Sequence, residues 1–460
     1  MQLSQQKNYL GWLSLFRLGL VQAALGAIVV LTTSTLNRVM VVELALPAML
    51  PGALVTLHYA MQLLRPRMGY GSDLGGRRTP WIVGGMAVLA LGGSGAAVAT
   101  TQLLSHPLWG LGLAILSFML IGCGVSACGT SLLVLLAKQV APERRAAGAT
   151  LVWMMMIAGF AITATIAGKA LDPYSPTRLI TVTSCVSILA FLGTLAAIWR
   201  VERATGQIEP ADPRSEAREP KLPFLTALKQ VWAEPDARWF TIFVLISMLS
   251  YSAQDLILEP FAGSLFSFTP GQSTKLSGVQ HGGAFMGMLL VAVMTTFFKG
   301  RPLASLKGWV IGGCLASALA MCGLVYAGLG LHAYPLRENV FLLGVANGAF
   351  SIAAIGAMMA LAGQGQGARE GVRMGLWGAA QAIAFGSGGF VGTLLADVAR
   401  WLFGSAGQAY ALVFGLEALG FVTAAWLARR IAFPKPQRDP RLSVAPASAL
   451  PAEPLGQVAL

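Results

Sequence analysis

The sequence predicts an all-α integral membrane protein whose twelve transmembrane helices form two six-helix bundles. Three observations lead there. Apolar residues make up 55% of the 460-residue chain and charged ones only 11%, too few for a soluble protein of this length. Apolar runs near the roughly 20 residues that cross a bilayer recur twelve times. Positive charge gathers on one side of those runs.

The first run, 12–36, carries Arg17, exceeds a signal-peptide core and lacks a small-residue cleavage site, so it reads as a retained helix. Runs at 47–66, 80–101, 108–136, 146–170 and 178–199 complete one set of six. The second set lies at 239–260, 275–298, 308–330, 338–362, 372–399 and 408–429. With both termini cytoplasmic, 25 Lys and Arg fall on the cytoplasmic side and 6 on the other. That bias orients a multi-pass membrane protein with both termini on the cytoplasmic side. Anionic membrane lipid then accounts for the net charge of +13. No basic face interleaved with aromatics is present, which excludes nucleic acid as a partner.

The expected organisation is an N-terminal bundle over 1–200, a cytoplasmic linker over 201–237, a C-terminal bundle over 238–431 and a disordered cytoplasmic tail over 432–460. The linker is marked by Pro210, Pro213, Pro220 and Pro223, and the tail is rich in Pro, Ala and Ser. An internal repeat joins the halves. At a shift of 224, Arg145 maps to Arg369, Trp153 to Trp377 and Gly168 to Gly392, and Asp172 answers Asp397 after one inserted residue. A looser echo links Glu43 with Glu259.

Between the second and third runs stands Gly69-Tyr-Gly-Ser-Asp73-Leu-Gly-Gly76-Arg77-Arg78. Glycines let helix ends approach, Asp73 accepts from helix N-termini and arginines, and the Arg77–Arg78 pair stays among headgroups. The pattern resembles motif A of the major facilitator superfamily, and it implies that fold and a cytoplasmic gate at these residues.

Polar residues within the runs are few. Arg17 reads as snorkelling to the inner interface. Asn37, Arg38 and Glu43 are expected where the first helix gives way to the second, with Gln254, Asp255 and Glu259 at the related end of the seventh. Together they make a periplasmic-side cluster, either a latch between bundles or a rim for a polar head or partner helix. Asp255 and Glu259, four apart, share a helical face. Glu417 is expected to stand alone, leaving little from which to build a proton relay. The five cysteines have no metal-ligand spacing, and no site for a free metal ion is expected. Phosphate-loop, zincin, nucleophile-elbow and Cys-x-x-Cys motifs are all missing, so the chain is not expected to be an enzyme.

Three stretches carry a narrower resemblance: Leu36-Asn37-Arg38 through Glu43-Leu44, Gln254-Asp255 through Glu259-Pro260-Phe261, and Arg369-Glu370-Gly371-Val-Arg373 through Trp377 to Gln381. They are similar to the PucC/LhaA group, the bacteriochlorophyll delivery branch of the superfamily, over residues 10–430. The resemblance implies a role in assembling light-harvesting antenna complexes, with bacteriochlorophyll as bound cargo. The implied partners are antenna polypeptides and pigment-synthesis or membrane-insertion machinery. His58, near the middle of the second run, and His281, in the eighth, are candidate axial ligands to a chlorin magnesium; the alternative for each is an interhelical hydrogen bond. Trp377 and Phe385 are candidates to stack on the macrocycle, and Gln381 to bond its oxygens. Two other readings stay open: a secondary transporter of a small solute, and an antenna chaperone that touches no pigment.

Overall fold

The computed structural model describes residues 9–64, 77–202, 224–298, 301–330, 334–362 and 370–432. Among these the chain is helical throughout. The first bundle holds α1 (Trp12–Glu43), α2 (Met49–Met61), α3 (Thr79–Gln102), α4 (Pro107–Gln139), α5 (Pro142–Ala170) and α6 (Pro176–Ile198). A linker helix, Phe224–Ala233, precedes the second bundle: α7 (Pro235–Phe266), α8 (Pro270–Phe297), α9 (Leu306–Gly328), α10 (Leu336–Ala362), α11 (Glu370–Phe403) and α12 (Ala406–Arg430). Eleven of the twelve are long and apolar enough to cross a membrane, and the shorter α2 with its 3-10 extension reaches Leu64. The chain is a multi-pass membrane protein.

Helix starts follow local chemistry. Pro occupies the first turn of α3 through α8, where its missing N–H costs nothing. Ser175, Ser305 and Ser405 cap α6, α9 and α12, and Thr269 with Gln272 forms a full capping box on α8.

Packing repeats between the halves. The pairs α1·α5, α1·α6, α2·α4, α3·α4 and α3·α6 have exact counterparts in α7·α11, α7·α12, α8·α10, α9·α10 and α9·α12. Small residues bring the axes close: a Cβ on Gly122 would strike the His58 carbonyl across α2·α4, and one on Gly344 would strike that of Gln280 across α8·α10. Each bundle therefore owns an apolar core. The bundles meet along α5·α8 and along α2·α11, the same pairing seen from either half, with α1 crossing α7 between them.

Two expectations about helix ends need correction. The first helix does not stop at 36 but runs to Glu43 through two π-helical stretches, Leu31–Thr35 and Val39–Glu43. The seventh continues through Pro260 to Phe266 and ends on a left-handed Ser267. Asn37, Arg38, Gln254, Asp255 and Glu259 are thus inside helices rather than at junctions. Asn37 and Arg38 bond carbonyls on and beyond α7, and Asp255 accepts from Gln280 of α8, so local polarity falsely signalled an exit. The expected linker, 201–237, also gains structure: it holds the linker helix and the first turn of α7, with 203–223 outside the described residues. Nearly all of the 432–460 tail lies outside them too.

Candidate functional site at the interbundle seam

Two aspartates at repeat positions tie the bundles on the face opposite the linker. Asp172, just past α5, accepts from the Thr269 hydroxyl at 2.7 Å and from Lys275 Nζ at 3.0 Å, both at the start of α8. Asp397, near the end of α11, accepts the backbone N–H groups of Ala48 and Met49 at 3.1 and 2.7 Å. Those amides open α2 and have no partner within their own helix, so the carboxylate caps them and meets the positive end of the helix dipole. The sequence repeat marked both aspartates but not their task. Small residues line the same seams: Gly168 lies against Gly271, Gly52 against Thr393, and the Thr56 hydroxyl donates to the Gly386 carbonyl at 2.8 Å.

Between the seams, α1 crosses α7 through the polar cluster. Arg38, only 2% exposed, donates to Glu43 at 2.6 Å and to the Phe268 carbonyl beyond α7 at 2.5 Å. Asn37 donates to the Leu256 carbonyl. The Thr35 and Thr274 hydroxyls pair across the seam at 2.9 Å. Glu259, at 1% exposure, has Arg38 as its nearby cation and the Ser273 and Thr274 hydroxyls beside its carboxyl, outside bonding geometry. Tyr174, in the loop after α5, sits beside the Arg38–Glu43 pair. Burial chiefly, with the Glu43 charge, lifts its hydroxyl above the ordinary tyrosine range, and Arg38 opposes them. Arg38, Asn37, Glu43 and Glu259 come together here. Gln254 and Asp255 lie one turn deeper on α7.

The pigment candidates do not converge. His58 lies near the middle of the Met49–Leu64 helical segment, and its Nε2 is 3.0 Å from Gln62 Nε2, so the ring nitrogen accepts the amide hydrogen. His281 donates Nδ1–H to the Ser277 carbonyl at 2.8 Å, which leaves the Nε2 lone pair available for a metal. Yet the ring is buried, edge-on to Phe160 at 4.9 Å, with no room for a macrocycle beside it. Trp377 needs correction as a stacking surface. It is 1% exposed, edge-on to Phe240 at 4.8 Å, and its indole N–H donates to the Ala237 carbonyl at 3.3 Å inside the C-terminal core. Gln381, one turn on, is half-buried. The residues offered for pigment binding therefore do not form one chlorin pocket in this conformation. Of the stacking candidates, Phe385 joins an aromatic contact that spans the bundles, and sequence reasoning missed its partners: Tyr59 of α2 meets Phe385 of α11 at 5.6 Å, and Phe385 meets Tyr251 of α7 at 5.9 Å, all half-buried.

On the linker face, polar bonds among the described residues stay within bundles. Arg17, half-buried, reaches the end of α6 on this face, where it donates to the carbonyls of Ala197 (2.9 Å) and Trp199. Of the motif A residues, Gly69, Asp73 and Gly76 lie outside the described residues. Arg77 is exposed, Arg78 is buried, and Glu202 accepts the amides of Arg78 and Thr79 at 2.8 and 3.0 Å, pinning the start of α3. Of the third stretch, Arg369 and the Glu370 side chain lie outside the described residues. Arg373 is buried and grips Glu234 with a two-pronged bond of 2.9 and 2.7 Å, clamping α11 to the start of α7.

Two repeated six-helix bundles joined by paired seams define a protein of the major facilitator fold. A solved D-xylose–proton symporter superposes with a TM-score of 0.69, covering 92% of this chain and 98% of its own at 13% identity. A family model described as PUCC protein matches residues 35–435, and the chain belongs to that family. It is 54% identical to the "Bacteriochlorophyll synthase 44.5 kDa chain" of Rhodobacter capsulatus, over 91% of this chain and 95% of the relative. It is also 30% identical to a Rhodobacter capsulatus "Protein PucC", over 89% of this chain and 90% of that one.

Proposed function

We propose that this chain is a non-enzymatic assembly factor for bacterial light-harvesting antenna complexes that takes up bacteriochlorophyll and passes it to antenna polypeptides. It acts in the cytoplasmic membrane with both termini inside, where pigment-synthesis or insertion machinery would supply its cargo. The observation that carries the reading is the half-buried aromatic contact Tyr59–Phe385–Tyr251 across the bundles. A flat, largely apolar ring gains from aromatic faces and a few polar groups rather than from a charged pocket. A relative whose printed name carries bacteriochlorophyll supports the cargo class. No axial ligation is assigned to His58 or His281, given their surroundings.

The test is purification in mild detergent from a phototrophic host, followed by absorption spectroscopy. Near-infrared pigment at a fixed ratio to protein is expected, with at least a several-fold loss when Phe385 and Tyr251 are both changed to Ala. Pigment-free protein from a pigment-replete host would overturn the reading. A second reading, a secondary transporter of a small solute, is favoured by the small-residue seams along which two bundles can rock. Solute flux into proteoliposomes with unimpaired antenna assembly in a Tyr251→Ala, Phe385→Ala variant would favour it.

A further inference from the structure

The C-terminal bundle buries acid without a matching base. Glu417 on α12 is 4% exposed, and neither carboxyl oxygen has a hydrogen-bond partner. Gln254 on α7 is fully buried, and both ends of its amide are equally unpartnered. The two helices pack with Ser250 against Gly420 and Phe261 against Phe414, a register that brings Glu417 to the level of Gln254. Asp255, the next residue, lies within electrostatic reach of Glu417 and of Tyr251. Gln280 of α8 donates to Asp255 over a long 3.3 Å, and the Gln254 amide lies beside the same carboxyl outside bonding geometry. Glu417 is not alone, as the sequence suggested.

The cations on the neighbouring elements are engaged elsewhere. Arg38 of α1 pairs with Glu43, Lys275 of α8 with Asp172, and Arg373 of α11 with Glu234. Arg400 of α11 bonds the Tyr410 hydroxyl, and Lys307 of α9 bonds carbonyls at the end of α12. The other titratable groups there are His281, tied to Ser277, Cys314 of α9 and Tyr410 of α12. The acid one turn away on α7 is Glu259, which looks toward Arg38.

Two carboxylates in an apolar interior cannot both stay ionised without a cation. Among the described residues, no group of three or more His, Cys, Asp or Glu side chains gathers here, so the two carboxylates lack the company of a metal-binding cluster. A proton needs only one oxygen and forms a hydrogen-bond donor for the idle acceptors. We propose that Asp255 and Glu417, with the unpartnered Gln254 amide at their level, form a proton-binding site between α7 and α12. Uptake is a simple transfer, hydronium plus carboxylate giving water plus carboxylic acid. The inference does not depend on the cargo.

The test is infrared difference spectroscopy of the full-length protein in lipid nanodiscs, stepping pH in H2O and D2O. A carboxylic-acid carbonyl band is expected at neutral pH, downshifted in D2O and fading as pH rises. Glu417→Gln and Asp255→Asn, which keep shape, should each remove about half of it, and the pair should remove it. Absence of any such band in the unmodified protein would overturn the proposal, whether or not the variants accumulate. So would a band that survives the double variant and disappears in Glu259→Gln.

Discussion

The two seams that join the bundles occupy equivalent places in the repeat, yet they are held by different chemistry. At α5·α8 the carboxylate of Asp172 meets a cation and a hydroxyl, with Asp172 and Lys275 side chains each about a third exposed. At α2·α11 Asp397 meets only backbone amides at a helix start. A partly exposed ion pair contributes roughly 0–1 kcal/mol and weakens with salt. A carboxylate capping a helix contributes about 1–2 kcal/mol and is tied to the geometry of that helix. Duplicated positions have thus kept the residue and changed its partner, leaving one seam soft and the other firm.

The largest effect is expected from steric change. A Cβ on Gly168 would stand 2.7 Å from the Gly271 carbonyl oxygen, a backbone atom that moves only if α5 and α8 part. Gly168→Ala should cost about 1–3 kcal/mol and lower the melting temperature in detergent. Across the other seam, Gly52→Ala runs into the Thr393 hydroxyl, a side chain, so Thr393→Ala should restore stability there. At Gly168 trimming the Lys275 side chain cannot rescue, because the Gly271 carbonyl and the Lys275 amide nitrogen also block the added carbon. Equal behaviour of the two glycines would erase the contrast.

Next comes Asp397→Ala, which strips the cap from α2 and should cost about 1–2 kcal/mol, with Asn at the same position losing less because it still accepts a hydrogen bond. The bundle ends should also separate. Spin labels at the exposed loop residues Leu104 and Leu329, in a background without native cysteines, report that distance. Asp172→Ala should shift it less, and a larger shift than for Asp397→Ala would reverse the assignment of firm and soft seams.

Hydropathy made the helix count legible because lipid demands about 20 apolar residues wherever a helix crosses. It misjudged the ends of α1 and α7, where Asn37, Arg38 and Asp255 look like exits. They are tolerated at depth because the other bundle or a neighbouring helix supplies Leu256, Phe268 and Gln280 as partners. The repeat made Asp172 and Asp397 visible as a pair. Their partners were not visible, since Asp397 reaches residues almost 350 positions away, a choice made by helix packing rather than by local pattern. Trp377 was misread for a related reason: a motif position says that a residue matters, and this one matters to the α7·α11 core.

The smallest predicted effect sharpens the comparison most. Lys275→Met removes the only cation bonded to Asp172 among the described residues but leaves the Thr269 hydroxyl in place. The loss should be about 0.5 kcal/mol at low salt, because both partners of the pair already see solvent. Raising ionic strength should bring the unmodified protein toward the variant, since screening acts on the ion pair. The same salt should leave the Asp397→Ala deficit unchanged: its partners are amides whose hydrogen bonds persist in brine. A salt-dependent Asp397 deficit would mean that a charge outside the described contacts acts at the firm seam, and that the two halves are more alike in their chemistry than their hydrogen bonds indicate.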